Sequence, residues 1–365
     1  MVGLPPSSSS NLSAINLDQQ TEDGESVLKA ALPQSLWNVC PEDKHEPTNE
    51  FLDYYRSQLV GVEAYGLNLK SHQDLIDLIN FIKTLAHLTK PELIARLEAS
   101  HAHLGSPIPA VELALRIWLF LSLEDWGSME TLEQHVHSMF PRSNSLPDSP
   151  TIALSFNVLS LEQIGGFKIV WTESLQDHLS LSIDDSEKEL RIFHVASFLH
   201  TYGKSKDRPI FPPGFLEETA RTLSLLIPSS NLKCQRWIRK ARRQDEIDLE
   251  AAYLPPTSRD LADFPYWGRQ LRELRDEYER TEPTTMRQWI LDKRKPNQRY
   301  TFWIAVIALP CISIDRKGLC LVISYFIGLL TDWALFCELC RILKISMTAF
   351  LISLVLAYTD VSSTD

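Results

Sequence analysis

Cysteine is scarce where a disulfide framework would need it. Of the six cysteines, only Cys40 and Cys234 precede the C-terminal apolar region. They lie far apart, so no bridged scaffold is legible and a reducing compartment fits best. The opening stretch, MVGLPPSSSSNLSAINLDQQTEDGES, lacks the basic flank and the apolar stretch of a secretory signal. Synthesis is therefore expected to begin in the cytosol, with any membrane insertion directed from the other end. Basic residues are outnumbered: 36 Lys and Arg stand against 47 Asp and Glu, a formal charge of −11. A surface of that sign repels nucleic acid except at a local basic patch, and no nucleic-acid partner is expected. No Gly-x-Ser-x-Gly elbow and no His-Glu-x-x-His pair occurs. Gly203-Lys204-Ser205 ends like a phosphate loop, yet Phe198 stands where the earlier glycine belongs. No internal repeat is apparent.

What is present divides the chain by polarity. Residues 1–26 read as a disordered tail, because their Pro, Ser, Asp, Glu and Gln bring too little apolar surface to offset ordering entropy. Residues 27–285 read as a cytosolic, mostly helical domain, with no assignment from Val27 to Pro47. Residues 286–299 form a basic juxtamembrane segment, 300–358 membrane-embedded apolar segments, and 359–365 a short polar tail. The fold class expected is mainly α with a small antiparallel β element (α+β), followed by a C-terminal transmembrane helix or helices.

Within the domain, Leu75, Ile76, Ile79, Ile82 and Leu85 share one helical face behind Ser71, a suitable N-cap. Thr89 and Glu92 have the spacing of a capping box, with Pro91 in the first turn, where its missing N–H is harmless. Ala110–Leu123 is apolar nearly all round but only about 14 residues long, against roughly 20 for a span. It also carries Glu112 and Arg116, which favours a buried core helix. A shorter amphipathic helix stops at Pro141. Gly166–Thr172, HLSLSID and KELRIFH alternate apolar with polar residues, and Asp184, Asp185 and Ser186 supply turn chemistry between the last two. Helix returns after Pro212 and Pro213, with Phe215, Ala220, Leu223 and Ile227 inward, and again around Leu271, Leu274 and Tyr278.

Toward the C-terminus the text turns apolar. Tyr300–Ile314 carries no charge, and Asp315, Arg316 and Lys317 then intervene. Gly318–Cys337 holds only Asp332, and after Glu338, Arg341 and Lys344 a third run extends from Ile345 to Tyr358. The first run spans about 22 Å as a helix, short of a hydrocarbon core of roughly 30 Å unless Arg299 and Lys317 snorkel. The second is long enough, at a cost for Asp332 of about 3 kcal/mol that its Leu, Ile, Val and Phe offset. Ahead of these runs, Arg287, Lys293, Arg294, Lys295 and Arg299 stand against Asp292 alone. Basic residues flanking an apolar run stay cytoplasmic, and Trp289, Tyr300 and Trp303 sit where an interfacial aromatic belt would. The residues assigned to the membrane interface are therefore Arg287, Trp289, Lys293, Arg294, Lys295, Arg299, Tyr300 and Trp303. The expected location is a membrane, with the N-terminal domain facing the cytosol and the lipid bilayer as partner, alongside other proteins.

The stretch WILDKRKPNQRYTFWIAV (Trp289–Val306) resembles the C-terminal signature of a large family of uncharacterised filamentous-fungal (ascomycete) proteins. Their pattern is close to W-W-Y-D-R-R-x-P-x-Q-x-Y-T-F-W-x-A-V, followed by a terminal transmembrane helix. Trp289, Asp292, Arg294, Pro296, Gln298, Tyr300, Thr301, Phe302, Trp303, Ala305 and Val306 match, Lys293 keeps the charge, and Ile290 and Leu291 depart. FKIVWTESLQDHLSL, LRIFHVASFL and PPGFLEETARTLSLLIP extend the likeness over about residues 90–308. The resemblance implies a terminal anchor and says nothing of activity. After Ala308 the chain departs from it with Pro310 and the Asp315–Lys317 interruption. Two readings account for that: added membrane segments, or a transcript read past a splice site.

Remaining constellations carry little chemistry. His101 and His103, with Glu98, form a weak metal candidate near a helix end. His135 and His137 point about 200° apart on a helix and read as surface histidines. Asp177-His178 and Asp184-Asp185 read as turn formers, His194 and His200 as packing residues, and Cys337-Glu-Leu-Cys340 as incidental thiols. RWIRKARR (Arg236–Arg243) is the best basic patch, but Asp245, Glu246, Asp248 and Glu250 follow and cancel it. No catalytic, cofactor-binding or metal residue is assigned, and no cofactor is expected. The function expected is a membrane-anchored cytosolic interaction or scaffold module. The alternatives are an enzyme whose site assembles from distant residues, and a small membrane transport component using Asp332.

Overall fold

Capping chemistry sets the helix starts. Ser71 Oγ accepts from Asp74 N (3.3 Å) while the Asp74 carboxylate accepts from Ser71 N (2.9 Å), so helix begins at His72. Glu92 accepts from both Thr89 N (3.0 Å) and Thr89 Oγ1 (2.8 Å), opening the next helix. Each such box satisfies amide groups that the first helical turn leaves without intrahelical partners.

The computed structural model describes residues 22–39, 49–122, 125–143, 151–184, 187–207, 209–245, 247–249, 254–255, 257–283, 285–292 and 294. In chain order these form α1 (Glu22–Trp37), α2 (Asn49–Leu59), α3 (His72–Thr84), α4 (Lys90–His101), α5 (Pro107–Leu119), α6 (Leu132–Met139) and α7 (Val158–Gln163). Then follow β1 (Phe167–Thr172), β2 (Leu181–Asp184), β3 (Glu187–Phe193), α8 (Ala196–Tyr202), α9 (Phe215–Leu226), α10 (Leu232–Asp245), α11 (Gly268–Arg280) and α12 (Met286–Leu291). The described chain is mainly helical with one small mixed sheet. Two units are distinguished, Met1–Glu162 with Gly166–Tyr278, and Gln163–Gly165 with Glu279–Asp365. The apolar runs of 300–358 and the 359–365 tail lie outside the described residues, as does the expected N-terminal tail up to residue 21.

In the first unit α5 is the central post. Ala110, Val111, Leu113, Ala114, Leu115, Ile117, Trp118 and Leu119 are buried, and the edge of Ile108, Glu112 and Arg116 faces solvent. It packs against α3, α2 and α4, and α1 packs on α3 and α8. At 13 residues it is a core helix. Among the described residues no helix is long and apolar enough to cross a membrane. Beyond α5 an aromatic seam runs through the unit. Phe120 stacks on Tyr54 at 4.7 Å and meets Phe198 at 4.6 Å, and Phe215 lies 4.1 Å from Phe140 and 5.6 Å from Trp267.

Two expectations need correction. The sheet is not purely antiparallel: β2 pairs antiparallel with β3 as the hairpin predicts, but β1 pairs parallel with β3, giving the order β1-β3-β2. Alternation identifies a strand but not its neighbour, and β3 has two edges to fill. Helix α1 begins at Glu22, inside the stretch read as tail. Leu28, Leu32 and Leu36, four apart on one face, are buried and hold it in place, and extension beyond them costs little per residue. Pro33 lies within it, which hides the helix from a reading by propensity.

Gly105 sits against the backbone of Gly66 and Leu67. Its φ is +96°, it bridges Leu67, and a Cβ there would lie 1.9 Å from the Gly66 carbonyl oxygen. Gly105→Ala is expected to lower unfolding free energy by about 3 kcal/mol, read from denaturant midpoints. A loss under about 0.5 kcal/mol would contradict the tight crossing.

Candidate functional site

Helix α9 carries a polar face that is buried: Glu218, Thr219 and Thr222 are at most 1 % exposed. The Trp267 indole N–H donates to Thr219 Oγ1 (2.8 Å), whose hydroxyl donates to the Phe215 carbonyl (2.9 Å). Thr222 donates to the Thr219 carbonyl (2.6 Å), which leaves its oxygen to accept from His178 Nε2 (2.7 Å). His178 Nδ1 accepts from Phe193 N (3.1 Å), so the proton belongs on Nε2. Burial pushes His178 down to about 3, and the ring stays neutral. Beside it Glu218 Oε1 accepts from Tyr266 N (2.8 Å) and Trp267 N (2.7 Å). Burial pushes this carboxyl up to about 7. Both ring nitrogens of His178 are consumed, so the histidine ties β3 to α9 and has no lone pair left for a substrate.

A second group has the residue types of a hydrolytic triad. His194, Ser197 and Asp248 are buried together. Asp248 Oδ2 accepts from Ser197 N (3.2 Å) and from Ser197 Oγ, while Asp248 N donates to His194 Nδ1 (3.2 Å). His194 Nε2 faces Glu173 Oε1 at 4.0 Å. Acyl transfer needs the serine hydroxyl on the imidazole and the carboxylate behind it. Here the serine donates to the carboxylate, and a backbone amide occupies the basic nitrogen of His194. Burial lowers His194 to about 4 and raises Glu173. This wiring closes residues 247–249 onto α8, joined by Ala196 N donating to the Asp248 carbonyl (2.9 Å). Ser197→Ala is expected to cost about 1–2 kcal/mol of stability by denaturant titration, as for a buried hydrogen bond whose acceptor is left without its donor.

In the second unit, Thr285 and Gln288 form a capping box that opens α12. At its far end Arg294 forks onto Asp292, with Nε–Oδ1 at 2.9 Å and Nη2–Oδ2 at 2.8 Å, and Nη2 also donates to the Thr281 carbonyl (2.9 Å). The two side chains are 10 % and 7 % exposed. Of the residues assigned to a membrane interface, Arg287 is exposed on α12, Trp289 is half-buried, and the Arg294 guanidinium faces Asp292. Lys293, Lys295, Arg299, Tyr300 and Trp303 lie outside the described residues.

No family model, curated protein or solved structure matches the chain.

The other sequence candidates disperse. Asp177 faces Arg191 at 3.8 Å while its neighbour His178 turns into the core. Asp184 is exposed at the end of β2, Asp185 lies outside the described residues, and His200 is half-buried. The His101 and His103 rings stack at 5.9 Å, with His101 also on Phe81, and Glu98 is exposed. Among the described residues no group of three or more His, Cys, Asp or Glu is placed to hold a metal ion. His137 is exposed, but His135 is not the surface residue expected. It is buried, with Nδ1 3.1 Å from Glu130 Oε2 and its ring stacked on Trp126, because the turn before α6 folds over that side. The amides of Lys204 and Ser205 donate to the Thr201 and Tyr202 carbonyls (both 3.0 Å), so Gly203–Ser205 offers no amide cradle for phosphate. Cys337 and Cys340 lie outside the described residues. Reading the sequence missed Ser197, Asp248, Glu218 and Thr222. Nothing in an acidic run or a helical threonine announces that it will be buried.

Proposed function

We propose that the chain is a cytosol-facing helical module held at a membrane by its C-terminal apolar segments, where it presents an interaction surface and carries out no reaction. The observation that carries the non-catalytic half is the wiring of His194, Ser197 and Asp248. The residue types for acyl transfer meet, yet Ser197 Oγ donates to the carboxylate and not to the imidazole, and His194 Nδ1 and Asp248 Oδ2 both accept from backbone amides. The membrane half rests on the apolar runs Tyr300–Ile314, Gly318–Cys337 and Ile345–Tyr358 and on the cations that precede them. The likeness of Trp289–Val306 to the fungal juxtamembrane signature supports the same placement. The Asp292–Arg294 fork gives a physical reason for the acidic and second basic positions of that signature: together they clasp the end of α12.

Protease treatment of sealed membranes from cells making the full-length protein tests the orientation. Residues 27–285 are expected to be digested without detergent; protection until detergent is added would overturn the cytosol-facing placement. Turnover of any substrate that is lost in His194→Gln, with the thermal midpoint unchanged, would overturn the non-catalytic half.

A further inference from the structure

Helix α10 has two faces of opposite character. Cys234, Ile238 and Ala241 are buried, and Arg242 reaches Glu50 on α2 at 3.8 Å. On the outer side Lys233, Arg236, Arg239, Lys240 and Arg243 are all exposed. Spaced three and four apart, they line one stripe of the helix. Among the described residues none of the five has a carboxylate within ion-pair distance. The sequence suggests that the acidic run after the helix cancels this charge, but Asp248 is 0 % exposed and turned onto Ser197. Asp245 is an exposed carboxylate at the end of the helix. A chain of formal charge −11 thus displays a local row of cations that no described carboxylate pairs; Glu246 and Glu250 lie outside the described residues.

We infer that the outer face of α10 is a docking surface for anionic lipid headgroups, laid onto the bilayer that holds the chain. The inference rests on the membrane-held reading above. Charge complementarity selects the occupant. The stripe is about 15 Å long, straight and convex, suited to a plane of headgroups more than to a groove that tracks a nucleic-acid backbone. The aromatic ring that a base would stack on is taken: Trp237 Nε1 donates to Glu162 Oε2 (2.9 Å) and its ring lies 6.0 Å from Trp171. Five cations near an anionic leaflet each add a weak attraction. That is too weak to recruit an acidic protein from solution. It suffices once a tether raises the effective concentration, converting docking into an intramolecular step.

The test uses the full-length protein with vesicles of phosphatidylcholine alone, or with about 30 mol % phosphatidylserine. Flotation of the vesicles reports the anchor. Acylation of Lys233 and Lys240 by a water-soluble active ester, read by mass spectrometry against exposed Lys70, reports docking. Both lysines should react at least about fivefold more slowly on phosphatidylserine vesicles than on phosphatidylcholine, with Lys70 unchanged. The protection should vanish near 0.5 M salt, roughly where screening removes surface attraction, and in the Arg236→Glu/Arg243→Glu variant with its thermal midpoint intact. Flotation on both compositions with equal lysine reactivity overturns the docking and leaves the anchor standing. Failure to float on phosphatidylcholine removes the anchor, and the protection on phosphatidylserine then decides the docking alone. Protection by a single-stranded oligonucleotide but not by phosphatidylserine overturns it in favour of nucleic acid.

Discussion

Acidifying the protein from pH 6.5 to pH 4.5 is expected to remove most of its stability. His72, His178 and His194 are buried, and desolvation holds them at about 4, about 3 and about 4, with Arg56 adding to the effect at His72. Each is a base whose folded pKa lies below its unfolded value of 6.5. Between those values the unfolded chain binds the extra proton, so the stability is whole above 6.5 and drains away as the pH falls toward 4. Glu218 works the other way. Burial raises it to about 7, so the folded chain holds its proton first and gains stability as the pH falls from 7 toward 4.5. Glu218 offsets one histidine and the raised Glu173 carboxyl offsets part of another, leaving a net slope between one and two protons, roughly 2 kcal/mol per pH unit. Two units amount to about 4 kcal/mol, most of the margin of an ordinary domain. Thermal midpoints measured against pH should fall steeply in this window. His178→Gln should lower the midpoint at pH 7 and flatten the slope by one proton. A midpoint that holds constant from pH 6.5 to 4.5 would show that these rings are not buried neutral.

Removing Asp207 is expected to cost about 3 kcal/mol, because it strands a buried ammonium. Lys83 is only 14 % exposed. It donates to Asp207 Oδ2 (2.8 Å) and to the Leu36 carbonyl at the end of α1, and lies 5.5 Å from the centre of the Trp118 ring. Asp207 also accepts from Asn38 Nδ2 (3.1 Å). Burial holds the lysine below its usual range and the Asp207 carboxylate partly restores it. Asp207→Ala leaves the charge with one carbonyl and a ring face. Lys83→Met removes the charge but keeps the stem, and should cost about 1 kcal/mol; the double variant should be little worse than Lys83→Met. Denaturant midpoints across the four proteins should give a coupling of about 3 kcal/mol, and strict additivity would contradict the ion pair as the clasp between α3 and the segment after α8.

Much of the helical framework is legible because its signals are local. The Ser71 and Thr89 boxes need only a serine or threonine followed three residues later by a carboxylate, and both helices start where those residues stand. The α5 core helix is readable from length and from its two charged residues, which share the exposed edge. What escapes notice depends on distant partners. The parallel place of β1 is set by the free edge of β3. Glu218, Thr219 and Thr222 gain their bonds from Trp267 and His178, which arrive from other parts of the chain. Asp248 reads as one of a solvated run and is instead held in the core by Ser197, 51 positions away. In each case the determining contact is tertiary, so propensity and periodicity carry no trace of it.

Alkaline carbonate extraction of membranes from cells making the full-length chain tests a membrane-held module most directly. Carbonate strips proteins bound by charge alone and leaves inserted helices behind. The full-length product is expected in the pellet, and a truncation ending at residue 299 in the supernatant. Recovery of the full-length product in the supernatant would contradict membrane insertion, and with it the placement of this domain at a bilayer surface.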